Sequence, residues 1–266
     1  MPHVGFYDVH EVPVKFGDIR LNYDPGRWSL PLPVLLALVP EERERKGDVR
    51  ISELVGDPRV AMLRRRHDYY TWPEDEMWRV VGTGFHNAIE KAHPRDAERE
   101  LFADINGVRV GGRLDVQSDE HGITDWKVTA TYKAKRIIAQ GVAKAAPEWY
   151  NQACYYAALC DRNNIQVTRS RLCVIVRDWR RKEGDVPAPI VTVDVPLPSP
   201  AIRGAALENA VERWKRNLSL DDSVLEECSD LWGTQRNGLP TRCEGYCPVN
   251  IHCNQYSRAT LLARRR

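Results

Sequence analysis

Residues 111–127 read GGRLDVQSDEHGITDWK. Val108, Val110, Leu114 and Val116 fall on every second position around the start of this stretch, so one face of a strand is apolar and Asp115 lies on the other. Asp119–Gly122 supplies turn residues, and a second strand then carries Asp125 and Lys127 on one face, opposite Trp126 and Val128. Paired as a hairpin, the two strands put Asp115 beside Asp125 and Lys127. Two carboxylates held together repel, which raises one pKa unless a cation lies between them. A hard divalent ion such as Mg²⁺ prefers oxygen ligands and resolves the conflict. A lysine ammonium next to such an ion can orient a water or stabilise charge on a phosphoryl group. The pattern suits metal-dependent phosphodiester hydrolysis. It is also compatible with a solvated hairpin, since acid-x-Lys recurs at Glu44-Arg45-Lys46 within a plain charge run.

Composition sets the frame for that hairpin. With 266 residues, 29% charged and 42% hydrophobic, the chain can bury the core of one large domain or of a domain with an appendage. A net charge of +2 is too mild to argue for nucleic-acid binding by itself. The basic residues cluster, however, at Arg64–Arg66, Lys133–Arg136, Arg177–Lys182 and Arg264–Arg266. No apolar run approaches the roughly 18 residues of a membrane span. Pro31–Val39 is short and has no basic leader, so neither a signal peptide nor an anchor is expected. The expected setting is cytoplasmic, where the seven cysteines stay reduced and those with ligand spacing become metal candidates.

Towards the N-terminus, residues 1–30 alternate apolar and polar and predict a short hairpin or arm. Val34–Arg45 predicts a helix. Ser52 is a candidate N-cap for a second helix over Glu53–Leu63. Tyr69, Tyr70 and Trp72 follow the Arg64–Arg66 run, and either clamp a nucleic-acid strand or pack on the core. Gly82-Thr83-Gly84 is expected to open a helix whose apolar side is Phe85, Ala88, Ile89 and Ala92, with His86 and Glu90 on another face. Glu98–Ile105 predicts the strand before the hairpin.

Beyond Lys127, residues 128–144 show no clear period and read as a basic loop. Trp149–Cys160 predicts a helix with Gln152 and Tyr156 one turn apart. Arg171–Val176 and Ile190–Val195 predict strands, the second at a sheet edge, joined by an exposed basic tip at Arg177–Gly184. Leu207, Ala210, Val211, Trp214 and Leu218 mark an amphipathic helix.

In this order, Gly82-Thr83-Gly84-Phe85-His86, Gly112-Arg113-Leu114-Asp115, Asp125-Trp126-Lys127 and Gln152-Ala153-Cys154-Tyr155-Tyr156 resemble the signatures of the PD-(D/E)XK nuclease superfamily. The resemblance is to its RecB-like branch, which includes the nuclease domains of RecB and AddB, the CRISPR-associated RecB-like exonucleases and phage recombination nucleases. It covers residues from about 80 to 176. It implies that His86, Asp115, Asp125 and the Trp126 carbonyl bind the catalytic Mg²⁺ or Mn²⁺. It further implies that Lys127 positions the attacking water, and that Gln152 and Tyr156 orient Lys127 or contact DNA.

Cys243, Cys247 and Cys253 are separated by three and then five residues, with Gly245 and Pro248 bending the chain between them and Cys228 upstream. Four soft ligands suit zinc or an iron–sulfur cluster, and His252 could replace a cysteine in a zinc site. The resemblance tilts the choice to a [4Fe–4S] cluster, as in AddB and the CRISPR-associated exonucleases. Those relatives draw their first cysteine from upstream of the core. Here Leu54-Val55-Gly56-Asp57-Pro58-Arg59 has none, and Cys228 is the substitute. Cys154, Cys160 and Cys173 fall within predicted helix and strand and read as buried apolar side chains.

The expected fold is an α/β PD-(D/E)XK restriction-endonuclease-like core, a mixed central sheet flanked by helices. The expected organisation is an N-terminal arm over 1–50, a nuclease core over 51–222 and a metal-stapled segment over 223–266. The expected activity is hydrolysis of DNA phosphodiester bonds, an exonuclease favoured, in recombination, repair or CRISPR or phage DNA processing. The rivals are a structure-specific or nicking endonuclease, a non-cleaving DNA-binding adaptor and a zinc-stapled RNA-processing enzyme. Expected partners are single- or double-stranded DNA and recombination or CRISPR-adaptation proteins, with no membrane. A homo-oligomer is left open, and the location is the host cytoplasm if the chain is phage-encoded.

Overall fold

The computed structural model describes residues 3–40, 46–92, 97–118, 122–181, 184 and 186–263. In chain order the first elements are β1 (His3–Tyr7), β2 (Pro13–Lys15), α1 (Leu32–Leu38), β3 (Val49–Arg50), α2 (Ile51–Val55), α3 (Pro58–Arg66), β4 (Tyr69–Thr71) and α4 (Pro73–Ala92). There follow β5 (Ala97–Ile105), β6 (Val108–Ser118), β7 (Gly122–Thr129), α5 (Thr131–Gln140), α6 (Val142–Ala145) and α7 (Pro147–Arg162). The remainder is β8 (Ser170–Val176), β9 (Ile190–Val195), α8 (Pro200–Leu218), α9 (Thr241–Gly245) and α10 (Asn254–Ala263). No helix among the described residues is long and apolar enough to cross a membrane.

The class is mixed α/β, with a mixed central sheet flanked by helices. Its strand order is β3-β6-β7-β8-β9, with β5 paired to β6. Asn106 and Gly107, at φ 51° and 75°, make the two-residue turn that folds β5 onto β6. Along its other edge β6 runs parallel to β3 at Val110 and Gly111, and antiparallel to β7 only from Val116 to Ser118. Residues 112–115 on that edge have no strand beside them among the described residues. The gap is opened by the fork of β6 and β7, and Asp115 stands at its end. β7 then runs parallel to β8 from Ile123 to Thr129, and β9 closes the edge antiparallel to β8. Gly112 lets α7 come close, since a Cβ there would lie 2.8 Å from Leu159 and 2.9 Å from Tyr156. Leu172, Val174 and Val176 of β8 form a core with Ala134 and Ile137 of α5 and Ala153 of α7.

The chain divides into two compact units. One comprises Met1–Arg43, Gly56–Val80 and Arg213–Arg266, the other Glu44–Val55 and Val81–Glu212. This division does not coincide with the expected boundaries after residues 50 and 222. In the first unit the N-terminal hairpin is more than an arm. β1 pairs with both β2 and β4, and Phe6, Val14, Ile19, Trp28, Leu35 and Leu38 form a core beside it.

Several local expectations need correction. α4 opens at Pro73, where proline at the first helical position and Glu74, Asp75 and Glu76 suit a helix N-terminus, and Gly82 and Gly84 lie within it. Residues 131–140 and 142–145 are helical, broken at Gly141, and Ala134 and Ile137 bury one side of α5 despite the lysines between them. The helix expected over Glu53–Leu63 is two, broken before Pro58. Its start is served by Glu53, which accepts from the Arg50 amide at 2.9 Å, rather than by Ser52. The helix expected over Val34–Arg45 ends at Leu38, and residues 41–45 lie outside the described residues, as do 119–121 of the expected turn and 182–183 of the basic tip.

The basic run Arg64–Arg66 is occupied within its own unit. Arg64 lies over Tyr69 and Arg65 over Trp214, while Arg66 pairs with Asp222. Tyr69 stacks on His3, and Tyr70 and Trp72 pack on Tyr7, so these aromatics support the N-terminal sheet.

Candidate active site

The fork between β6 and β7 decides which side chains meet. Where β6 no longer pairs with β7, the Trp126 amide has no strand partner on that side. The Asp115 carboxylate replaces it, accepting from Trp126 N at 2.8 Å. The other oxygen of Asp115 lies 3.3 Å from His86 Nδ1 on α4. On β7, Lys127 Nζ comes within 2.7 Å of Asp125 Oδ2, and the Asp125 side chain is 13% exposed. The ammonium is close enough to attract that oxygen but is not aligned as a conventional hydrogen bond, so Oδ2 is buried without a well-directed donor among the described residues. From α7, the buried Tyr156 hydroxyl bonds to Gln152 and to the Arg113 backbone. His86, Asp115, Asp125, Trp126, Lys127, Gln152 and Tyr156, chosen from sequence, therefore gather around one fork within the 81–212 unit.

The electrostatics follow from burial and proximity. Burial pushes the Asp125 carboxyl up to about 6; the Asp115 charge adds to the rise and Lys127 opposes it. Hydrogen bonding to Asp115 raises the His86 pKa against the effect of burial, and the charges of Asp115 and Asp125 add to it. Burial raises the Tyr156 phenol, with the two aspartates contributing. The donor chemistry fits a hard divalent ion: two carboxylates in each other's field, one with an undirected buried oxygen, beside an imidazole. As they stand, the side chains are engaged in pairs, and among the described residues no three His, Cys, Asp or Glu side chains converge to hold a metal ion.

The C-terminal cysteines lie in the other unit. Gln255 on α10 bonds both backbone groups of Cys228, and so holds it near Cys253. Asn250 donates to the Cys243 carbonyl at 2.9 Å. Burial raises the Cys228 thiol to about 12 and Cys243 to about 11, and raises Cys247 as well. Each of the three also feels the charge of other cysteines in this set, so Cys228, Cys243, Cys247 and Cys253 lie within one another's field. Thiols are the right kind of donor for zinc or an iron–sulfur cluster, but among the described residues these four are not placed as a metal-holding group. Of the cysteine-free upstream segment, residues 56–59 lie in the same unit: Asp57 pairs with Arg242, and its charge raises Cys228 and Cys243. Cys154, Cys160 and Cys173 are buried in helix and strand.

Two residues of this architecture escaped the sequence reading. Asp178 accepts from the Thr131 amide and hydroxyl at 2.6 and 2.8 Å, and so fixes the start of α5. Arg59 is 1% exposed and donates to the carbonyls of Leu225 and Glu226 and to Asn254. Neither partnership leaves a signal in local sequence.

No protein-family model matches the chain, and no curated protein matches it. Seven solved chains do. One of them, "Crystal structure of SSO0001", is 13% identical, covers 84% of this chain and 92% of its own, and superposes with a TM-score of 0.47. A likeness of that degree transfers no chemistry.

Proposed function

We propose that this chain is a metal-dependent deoxyribonuclease of the RecB-like branch of the PD-(D/E)XK superfamily, with residues 81–212 as its catalytic core and an exonuclease as the favoured mode. The observation that carries the reading is the half-buried Asp115–Asp125 pair at a strand fork, each side chain 13% exposed, with Lys127 Nζ 2.7 Å from Asp125 Oδ2. A solvated hairpin would leave these charges exposed, and a binding module has no need to bury them.

His86, Asp115 and Asp125, with the Trp126 carbonyl, would hold Mg²⁺ or Mn²⁺, which supplies Lewis acidity toward the phosphate. The chain's own groups do the positioning. The Trp126 amide fixes one oxygen of Asp115, and His86 holds the other. Lys127 presents a positive charge where a phosphate oxygen gains negative charge as water bonds to phosphorus and the bridging P–O bond breaks. Tyr156 and Gln152 brace the fork from α7. Cys228, Cys243, Cys247 and Cys253 would hold a [4Fe–4S] cluster, or zinc, as a structural staple of the other unit.

The test is cleavage of end-labelled linear and closed circular DNA in Mg²⁺, Mn²⁺ or EDTA, using protein purified without oxygen. Metal-dependent loss of the linear substrate alone is the expected result, with the broad visible absorption of a thiolate-bound iron–sulfur cluster in the same sample. Cutting of the circle would replace the exonuclease by an endonuclease. Intact DNA in every metal would overturn the nuclease reading.

A further inference from the structure

The two outer edges of the central sheet differ in what they offer a second strand. The Val176 amide donates to the Pro189 carbonyl at 2.8 Å, so residues 176 and 189 are a hydrogen-bonded pair of the antiparallel β8–β9 ladder. Such pairs recur at every second residue, which turns the backbone groups of Val191, Val193 and Val195 toward β8. The amides and carbonyls of Ile190, Thr192 and Asp194 therefore point out of the sheet, and none meets a partner among the described residues. Ile190, Thr192 and Asp194 are all exposed. Pro196 follows, without an amide proton, and ends the open edge.

β5, at the other edge, is closed to a second copy. The two-residue turn makes Ile105 and Val108 a hydrogen-bonded pair, so Glu100, Phe102 and Asp104 face outward. Asn163 occupies the Phe102 carbonyl at 3.1 Å. Paired with itself about Phe102, β5 would set Glu100 against Asp104 of the second chain, and like charges opposed across strands repel.

β9 has no such defence. A two-fold axis at Thr192 sets Thr192 against Thr192, and Ile190 against Asp194, of the second copy. Arg169 and Arg171 of the same chain already meet the Asp194 charge, at 3.0 and 3.4 Å, and no like charge stands opposite it. In this register the three outward residues form hydrogen-bonded pairs, so every outward amide and carbonyl finds a partner. Val191 falls opposite Val193 of the second copy, on the side of the sheet that packs on the core.

We propose that β9 is the seat of a homodimer, in which two copies of this chain pair β9 antiparallel about Thr192 and join their sheets into one. The axis stands normal to the sheet, so the Asp125–Lys127 faces of both copies lie on one side. The two β7 strands are then five strand spacings apart, about 24 Å. The pairing is independent of the nuclease reading, and mass rather than cleavage decides it.

The test is sedimentation velocity of the full chain in reductant, from about 1 to about 100 μM, a span that resolves a micromolar dimer. Wild type is expected to pass from monomer to dimer and to stop there, since the edge is used up. Thr192→Pro removes an outward amide and leaves the β8 ladder intact, as an edge strand tolerates. It should weaken the dimer at least about 5-fold, the loss of two backbone hydrogen bonds. Ile190→Lys sets a cation opposite Asp194 and should strengthen the dimer about 2- to 30-fold over its two symmetric sites. Ile190→Asp should weaken it by a similar factor. A chain monomeric at every concentration, a species larger than a dimer, or a dimer indifferent to a folded Thr192→Pro would each overturn the pairing. Equal effects of Ile190→Lys and Ile190→Asp, the mark of lost apolar surface alone, would overturn it too. Should Thr192→Pro lose its far-ultraviolet circular dichroism, the two Ile190 variants decide.

Discussion

Asp125 is held where water reaches little of it, with a second carboxylate in range and one lysine in contact. Such a charge is costly unless it has a task or a cation. Asp125→Ala and Lys127→Ala should each lower cleavage about 10²- to 10³-fold, the scale of removing a preorganised stabilising group at the reacting centre. DNA binding in EDTA should persist in both; undiminished cleavage would remove these residues from the site. Arg59 is a residue of the opposite kind, a buried cation with no reaction to perform. It satisfies the Leu225 and Glu226 carbonyls and Asn254 in its own unit. Arg59→Met should therefore cost about 3–5 kcal/mol, since the carbonyls stay buried without a donor. A urea midpoint close to wild type would show that the segment relaxes around the change.

At the scale of elements, α4 carries a cost that the site did not require locally. Gly82 and Gly84 lie inside a 20-residue helix, and a Cβ added at either would meet nothing within 4 Å. Gly82→Ala and Gly84→Ala should each stabilise the protein by about 0.5–1 kcal/mol, read as a raised melting temperature. A fall would reveal a contact made by those glycines. The strands of the hairpin were legible because their alternation matches a half-buried strand; the Asn106-Gly107 turn before them was not read from the sequence. α5 was not legible: lysines interrupt its apolar period, and the acid that receives its first amide is 47 residues downstream. Its buried side became visible only once β8 lay against it.

For the whole molecule, the chain builds two units from segments that are not consecutive, so distant ion pairs carry part of its stability. Asp222 shows the pH consequence. Burial opposes its ionisation, but hydrogen bonds from His67 and Arg66, each 2.5 Å long, outweigh it and hold its carboxyl below the ordinary 3.8. A carboxyl depressed in the folded state stabilises fully above its unfolded pKa and loses that contribution as pH falls through the folded value. Wild type should lose stability below about pH 4 more steeply than Asp222→Asn, compared by urea unfolding at a series of pH values. Parallel curves would show that the pair is neutral to folding.

The sequence alone determined the order of the elements that carry the site, the face on which Asp115, Asp125 and Lys127 lie, and the burial of Cys154, Cys160 and Cys173. These follow from periodicity and side-chain chemistry, which are properties of neighbours along the chain. Tertiary structure decided the fork that turns Asp115 onto the Trp126 amide and the joining of two basic runs through Asp178. It also decided that Arg64–Arg66 serve their own unit and that the N-terminal hairpin belongs to a sheet with β4. Each of these depends on which backbone or charged group is left without a partner after folding, and that is settled by residues far away in sequence.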